Sequence, residues 1–212
     1  MRTTTQPHPL APADVERILR SLVPPNVAVA ALEIEEASRR AEFAAGRECA
    51  RVALARLGQE AGDIGMEADG APAWPAGIVG SLSHSQGLAA ATVARSEDLA
   101  GLGLDLVRAR PLPRGSEELF CTAPEARWLR QVPDPERDLM TLILFSAKES
   151  VQKGARYLLG RLPEAHEIEL RLVAEEPVFT ATVESCDRHV WRGRHAFDGA
   201  FVFTAATGLR SR

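Results

Sequence analysis

Two short stretches constrain the fold of this 212-residue chain more than any others, because their chemistry makes sense only if they meet. The first, residues 101–105 (GLGLD), is a run of small and apolar residues that ends on Asp105. Such a run is typical of a strand buried on both faces, with the carboxylate delivered at its tip. The second, residues 145–153 (FSAKESVQK), is typical of a helix that carries Glu149 and Lys153 on one face.

Contact between the strand tip and the helix would bring two carboxylates together beside an ammonium group. Two hard oxygen ligands with open coordination positions suit Mg²⁺ that is also held by substrate phosphates. Lys153 would then face the negative charge that develops on a phosphate. The spacing alone also allows a simpler interpretation, in which Asp105 merely ends a strand and Glu149 pairs with Lys153 on the surface, a contact worth about 0.3–0.5 kcal/mol.

The residues around these stretches favour the first interpretation, because they match a known pattern. Residues 103–105, followed downstream by residues 145–153, resemble the signature of the surfactin-type 4′-phosphopantetheinyl transferases. Residues 74–84 (WPAGIVGSLSH) resemble the block that precedes this signature in the enterobactin-synthase component D-like branch of that family. The three blocks occur in the family's order and cover about residues 39–153, which makes the resemblance specific.

The resemblance implies a transferase of the holo-[acyl-carrier-protein] synthase type, which moves the 4′-phosphopantetheine arm of coenzyme A to a serine of an acyl or peptidyl carrier protein. The second product would be adenosine 3′,5′-bisphosphate, and the setting would be secondary metabolism, such as siderophore, polyketide or nonribosomal peptide synthesis. Mg²⁺, or Mn²⁺ in its place, would bridge Asp105, Glu149 and the pyrophosphate. Glu149 would take the proton from the attacking serine, and Lys153 would neutralise or protonate the departing phosphate.

The longest clear helix predicted, residues 38–57, carries arginines on the side that its apolar residues share. Those apolar residues are Phe43, Ala50, Leu54 and Leu57. An arginine on a buried face must pair with an acid, reach water or bind an anion such as phosphate, and position alone leaves these alternatives open. The segment resembles the family's coenzyme A segment, whose arginines hold the 3′-phosphate, and this implies coenzyme contacts for Arg39, Arg40 and Arg47. The role of Arg51 stays open.

The resemblance implies coenzyme contacts for three further residues. His84 ends a predicted strand, where a histidine is often an ordinary surface group, but the family's histidine at this place contacts the pyrophosphate of coenzyme A. Ser83 would be its hydrogen-bonding neighbour on the coenzyme. Lys148 belongs to the family pattern and is counted with the coenzyme contacts, although the helical pattern points it away from the inward stripe of its own helix.

The chain departs from the family pattern at two places. Many members carry an acidic residue two positions after the aspartate of Gly-x-Asp, and this chain has Val107 there, which removes a third oxygen ligand or leaves a water in its place. Near Trp74, related proteins often carry a basic residue just before a proline, whereas residues 70–72 are Gly-Ala-Pro. The second departure shifts the expected coenzyme contacts onto the arginines of the helix 38–57.

The predicted fold is α+β, and the resemblance implies two similar α/β halves related by a pseudo-two-fold axis, residues 1–107 and 108–212, with the active site in the cleft between them. Each half would pack a long helix, 38–57 or 135–154, on a small antiparallel sheet. Shorter helices are predicted at residues 12–22 and 125–130. The predicted strands are residues 27–34, then a meander of 78–83, 88–94 and 100–106, and finally 166–173, 178–183, 189–196 and 200–206.

Composition argues against several other classes. The net charge of −4 gives no case for binding nucleic acid, and no apolar run of about 18 residues could span a membrane. Residues 1–12 lack the apolar core of a secretory signal, and Cys49, Cys121 and Cys186 show no zinc or disulfide spacing, which favours reduced thiols in the cytoplasm. The chain length disfavours the short, trimeric type of the same transferase and favours a monomer.

Two other functions stay open at this point. A non-catalytic module that binds coenzyme A or a carrier protein could keep the same fold, and Val107 is the main observation in its favour. Intact Asp105, Glu149 and Lys153 argue against that alternative. An unrelated Mg²⁺-dependent phosphohydrolase would use nucleophilic or dinuclear carboxylate clusters, which the sequence does not show.

Overall fold

The computed structural model describes residues 10–34, 38–60, 62–173, 176–184, 186 and 189–210. Residues 1–9, which belong to the stretch predicted not to be a secretory signal, therefore lie outside the described ranges. Within those ranges, no helix is long and apolar enough to cross a membrane.

The chain contains both helices and antiparallel strands, with most of the strands in two runs, and the predicted α+β class is confirmed. In chain order the elements are α1 (Pro12–Leu22), β1 (Ala28–Glu33), α2 (Arg39–Arg56), β2 (Ile78–Ser85), β3 (Leu88–Arg95), β4 (Gly101–Arg108), α3 (Ala123–Leu129), α4 (Asp134–Leu159), β5 (Ile168–Leu172), β6 (Val178–Val183), β7 (His189–Phe197) and β8 (Phe201–Arg210). Short 3₁₀ turns at Ser116–Leu119 and Ala165–Glu167 lead into α3 and β5.

The strands form two antiparallel sheets, each covered by one of the two long helices. The first has three strands in the order β1-β3-β2 and packs against α2. The second has five strands in the order β4-β8-β7-β6-β5 and packs against α4. The meander predicted for β5 to β8 is confirmed, whereas the pseudo-two-fold relation between the halves stays a prediction.

The position of β4 corrects the predicted topology. The sequence predicts a meander of β2, β3 and β4, but β3 already has β1 on one side and β2 on the other. β4 instead pairs with β8 along its whole length, from Gly101 opposite Gly208 to Arg108 opposite Phe201. By hydrogen bonding, the second sheet therefore begins at Gly101, although β4 was assigned to the half that ends at residue 107.

The glycines of β4 let α4 lie directly on the strand. A Cβ atom at Gly103 would stand 1.6 Å from the Ser150 carbonyl oxygen, and one at Gly101 would stand 2.7 Å from the Gly154 carbonyl oxygen. Two residues of a strand span about 6.6–6.8 Å and four residues of a helix about 6 Å, so every second residue of β4 meets roughly every fourth residue of α4. The next residue on the same face of the strand, Asp105, is therefore brought against α4.

Both long helices differ in detail from their predictions. Ser38 caps α2 by accepting a hydrogen bond from the Ala41 N–H (3.2 Å), but Phe43, predicted to be buried, is 48% exposed. The buried face of α2 is Gly46, Cys49, Ala50, Ala53 and Leu54. The end predicted for α4 at Gly154 is wrong, because that glycine lies inside the helix against Trp191, and α4 continues to a left-handed cap at Gly160 (φ 68°).

Candidate active site

Asp105 is the best-held carboxylate of the candidate site. It is 6% exposed, and its Oδ1 accepts hydrogen bonds from Lys153 Nζ (2.7 Å) and Ser83 Oγ (3.1 Å). Its Oδ2 accepts from Ser146 Oγ (2.7 Å). Three donors from two elements, one on β2 and two on α4, fix the carboxylate where the first sheet, the second sheet and α4 meet.

Ser83 of β2 holds Asp105 in place. Its hydroxyl donates to Asp105 and accepts from the Leu106 N–H (3.1 Å), and the residue is 6% exposed. Successive residues of a strand point to opposite faces, so His84 faces the cleft and Ser83 faces the interior. The predicted coenzyme contact of Ser83 stays a prediction, beside these observed hydrogen bonds.

Glu149 lies close enough to Asp105 and Lys153 for their charges to act on its carboxyl group. Burial raises the pKa of the Glu149 carboxyl, the negative charge of Asp105 raises it further, and the Lys153 ammonium partly opposes both. The structure thus brings Asp105, Glu149 and Lys153 together, and what they do there stays a prediction.

The donor set of this site fits a hard divalent cation shared with a ligand. In the described part of the chain, no group of three or more His, Cys, Asp and Glu side chains could hold a metal ion. Two carboxylates converge, and a metal such as Mg²⁺ commonly takes one or two of these and completes its shell with phosphates and water. Val107, at the place where a third acid was expected, packs instead against Leu142, Ile143 and Val202.

A cleft of about 680 Å³ opens beside Lys153, between the elements of the two halves. One wall comes from α2 and β2, another from the second half of α4, and a third from residues 69–72. Cationic or titratable nitrogen groups line it from both sides: Arg39, Arg47, His84, Lys153 and Arg156. This surface suits a ligand with several negative charges.

Arg47 is the strongest sign that the cleft binds an anion. Its Nε and Nη2 atoms are buried and have no hydrogen-bond partner among the described residues. Its guanidinium lies 4.6 Å from the centre of the Phe43 ring, which explains why that exposed ring stays beside the helix. Burial lowers the pKa of Arg47, and a bound phosphate would satisfy both the charge and the unused donors.

The other predicted coenzyme contacts on the first half separate into two groups. Arg39 lies in the first turn of α2 and lines the cleft, and His84 lines it with Nδ1 3.6 Å from Glu42 Oε2. Arg40, which points about 100° away from Arg39 on the helix, is exposed and does not line the cleft, and its predicted coenzyme contact stays a prediction. Arg51 pairs with Glu48 on the exposed side of α2 (Nε to Oε2, 2.8 Å).

Lys148 is not a coenzyme contact, which corrects its predicted role. It is 1% exposed, and its ammonium donates to Glu125 Oε2 (2.7 Å) and to the carbonyl oxygens of Ala165 (2.9 Å) and Ile168 (2.7 Å). All three donors are thus used inside the second half, on the side of α4 away from the cleft. The helical pattern missed this because Glu125, the partner that allows the burial, lies on a different helix.

Two residues of the site were not predicted. Ser146, the second hydroxyl donor to Asp105, and Arg156, which lines the cleft, both lie on α4. Ser146 is seven residues before Lys153 and Arg156 is seven residues after Glu149, so each shares a face with a predicted site residue. Extending the face of Glu149 and Lys153 by two turns in both directions would have found them.

Two family models match the chain. The 4′-phosphopantetheinyl transferase N-terminal domain matches residues 29–94, and the 4′-phosphopantetheinyl transferase superfamily matches residues 101–204. The change from one match to the other falls between β3 and β4, where the chain passes from the first sheet to the second.

Three curated proteins are similar to this chain over more than half of its length. The 4′-phosphopantetheinyl transferase Svp of Streptomyces mobaraensis is 42% identical over 141 residues, which are 66% of this chain and 57% of that protein. Npt of Nocardia iowensis is 38% identical (60% of this chain, 58% of that protein), and PptT of Mycobacterium tuberculosis is 37% identical (56% and 52%). The matches therefore span somewhat more than half of the length of these relatives.

Proposed function

The chain belongs to the 4′-phosphopantetheinyl transferase superfamily, and on that premise we propose that it transfers the 4′-phosphopantetheine arm of coenzyme A to a serine of an acyl or peptidyl carrier protein. Adenosine 3′,5′-bisphosphate is the second product. The observation that carries the proposal is the placing of Asp105, Glu149 and Lys153 at the edge of a cleft that also contains the unpaired guanidinium of Arg47.

Binding of coenzyme A is assigned to four of the groups that line the cleft: Arg39, Arg47, His84 and Lys153. Arg47 holds the 3′-phosphate of the nucleotide with the Nε and Nη2 donors that have no partner in the described protein, and Arg39 adds a second positive charge. His84 and Lys153 lie on opposite walls and hold the pyrophosphate between them. Positioning and charge stabilisation of this kind supply most of the catalysis in phosphoryl chemistry.

Asp105 and Glu149 are the residues that would hold Mg²⁺, or Mn²⁺ in its place, jointly with the pyrophosphate. Bound there, the metal ion would supply Lewis-acid stabilisation of phosphate charge. Ser83 and Ser146 keep the Asp105 carboxylate turned toward the cleft by donating to its two oxygens. Positioning hydrogen bonds of this sort are what a metal-ligating carboxylate requires.

The protons are handled by Glu149 and Lys153. Glu149 accepts the proton of the attacking serine hydroxyl. Lys153 neutralises or protonates the departing phosphate, for which its ammonium must leave Oδ1 of Asp105 or be shared with it. Both residues lie on one face of α4, one turn apart.

We further propose that the enzyme acts as a cytoplasmic monomer on carriers of secondary metabolism, such as those of siderophore, polyketide or nonribosomal peptide synthesis. The walls of the cleft all come from one chain, so no second copy is needed to complete it.

A panel of apo carrier proteins, incubated with coenzyme A and Mg²⁺, tests the proposal. Intact-mass spectrometry should show each substrate carrier gaining one phosphopantetheine arm, with no gain in EDTA. Calorimetric binding of coenzyme A without transfer to any carrier would favour the non-catalytic module instead. Absence of both binding and transfer would reject the two functions together.

Replacement of Arg47 by Ala tests the assignment of the 3′-phosphate. The KM for coenzyme A should rise about 10-fold or more, because a charge-assisted phosphate contact contributes roughly 1.5–3 kcal/mol, while the KM for dephospho-coenzyme A should hardly change. Equal increases for both substrates would mean that Arg47 does not contact the 3′-phosphate.

A further inference from the structure

A small hairpin forms one wall of the cleft, and few contacts hold it. Residues 66–72 turn back through a bridge between Met66 and Pro72 and a hydrogen bond from the Glu67 N–H to the Ala71 carbonyl oxygen (2.8 Å). Residues 66–70 are all exposed, and Met66 is 62% exposed. With so little apolar burial, the position of the hairpin depends on its polar contacts.

Two consecutive residues of α4 supply such contacts from the second half of the chain. Arg156 donates Nε to Asp69 Oδ2 (2.7 Å) and Nη2 to Asp69 Oδ1, which makes a bidentate pair. Tyr157 Oη makes a long hydrogen bond to the Pro72 carbonyl oxygen (3.4 Å), and its ring lies 5.4 Å from the Arg156 guanidinium. The Arg156 side chain is only 15% exposed, so the pair is partly shielded from water.

The contact connects the hairpin to the catalytic face of α4. Glu149, Lys153 and Arg156 follow one another at helical spacing on that face, and Lys153 and Arg156 both line the cleft. One rigid helix thus carries the groups assigned to proton transfer and the residue that fixes the outer wall of the pocket.

We infer that Asp69 and Arg156 are positioning residues, which hold the hairpin 66–72 as the wall that encloses the nucleotide end of coenzyme A. The inference rests on the proposed function. Arg156 differs from Arg47 in a decisive way, because its Nε and Nη2 donors are used by Asp69 whereas those of Arg47 have no partner in the described chain. Moving Arg156 onto the ligand would leave the Asp69 carboxylate facing a polyanion, which opposes binding.

Charge exchange between the two residues separates a positioning role from direct ligand contact. Asp69→Ala and Arg156→Ala should each raise the KM for coenzyme A, and the Kd for adenosine 3′,5′-bisphosphate measured by calorimetry, by about 3- to 10-fold, with kcat nearly unchanged. The double variant Asp69→Arg/Arg156→Asp should recover most of this loss. Arg171→Ala is the matched control, because it breaks another Arg–carboxylate pair, with Glu169 (3.0 Å), away from the cleft, and should change neither constant.

The outcomes distinguish this inference from the proposed function. A wild-type protein that neither binds adenosine 3′,5′-bisphosphate nor modifies a carrier rejects the proposed function itself. A working wild-type enzyme with unchanged constants in Asp69→Ala and Arg156→Ala overturns only the positioning role. Loss in Arg156→Ala combined with tighter binding in Asp69→Ala, or with no recovery in the exchanged variant, means that Arg156 contacts the ligand directly and also overturns it.

Discussion

Helix α4 carries two lysine–carboxylate pairs of equal length in opposite surroundings. Lys148 lies 2.7 Å from Glu125, and the two side chains are 1% and 3% exposed. Lys153 lies 2.7 Å from Asp105, with 29% and 9% exposure, and lines the cleft. The first pair is closed off by protein and the second borders the cleft, so the surroundings of each pair, rather than its length, distinguish the structural pair from the one proposed to act in catalysis.

The surroundings of Glu125 explain why the buried pair is structural. Besides the Lys148 ammonium, this carboxylate accepts hydrogen bonds from the Thr122 N–H (2.6 Å) and the Leu170 N–H (2.7 Å). It therefore joins the start of α3, the edge strand β5 and the middle of α4. The Lys148 ammonium and the Glu125 carboxylate are thus both satisfied inside the protein, which leaves neither of them free to bind a ligand.

The largest expected effect comes from Glu149→Gln, which tests the open side of the helix. The value of kcat should fall about 10²- to 10⁴-fold, because the variant has no base for the serine proton. The melting temperature should stay the same or rise slightly, since folding raises the pKa of Glu149 and so disfavours its charged form. Transfer to an apo carrier, followed by intact mass, measures the rate, and near-normal turnover would contradict the assigned role.

Lys148→Met, at the neighbouring position, should lower the stability of the protein rather than its rate of transfer. It leaves the Glu125 charge buried without its partner, which costs about 3–5 kcal/mol of unfolding free energy. Urea unfolding measures the loss. The double variant Lys148→Met/Glu125→Gln should recover a large part of it, because the amide oxygen can still accept from the Leu170 N–H. A stable Lys148→Met protein with a raised KM for coenzyme A would return Lys148 to the coenzyme site.

The difference between the two sides of α4 also marks what the sequence could predict. Helical spacing was enough to place Glu149 and Lys153 on one face. The apolar run ending at Asp105 did not by itself bring that carboxylate to them, and the resemblance to the transferase signature favoured the contact. Burial of Lys148 could not be predicted, because it depends on an acid of α3 that only the tertiary fold brings near.

The sequence also could not predict which sheet β4 joins, for a related reason. An apolar strand such as β4 fits any sheet that buries both of its faces, so its composition does not predict the strand with which it pairs. The leucines of β4 pack with the core around α1 and the first sheet, while its glycines lie on α4, so the strand belongs to both halves by packing and to one by hydrogen bonding.

Gly103→Ala sharpens the comparison by disturbing the contact that places Asp105 beside Lys153. A methyl group there would collide with the Ser150 carbonyl oxygen, so strand and helix must separate, at about 1–3 kcal/mol of unfolding free energy. Activity should fall as well, because Asp105 moves with the strand while Lys153 moves with the helix. Gly62→Ala, where a Cβ atom would meet nothing within 4 Å, is the control and should unfold like the wild type.

The smallest expected change in stability is that of Lys153→Met, and it decides whether the two pairs really differ. Asp105 keeps the Ser83 and Ser146 hydroxyl donors and loses an ammonium that is 29% exposed, so the loss of unfolding free energy in urea should be clearly smaller than for Lys148→Met. The rate of transfer should nevertheless fall, because the departing phosphate loses its cation. A stability loss as large as that of Lys148→Met would instead make both pairs structural, and the catalytic role of Lys153 would lose its physical support.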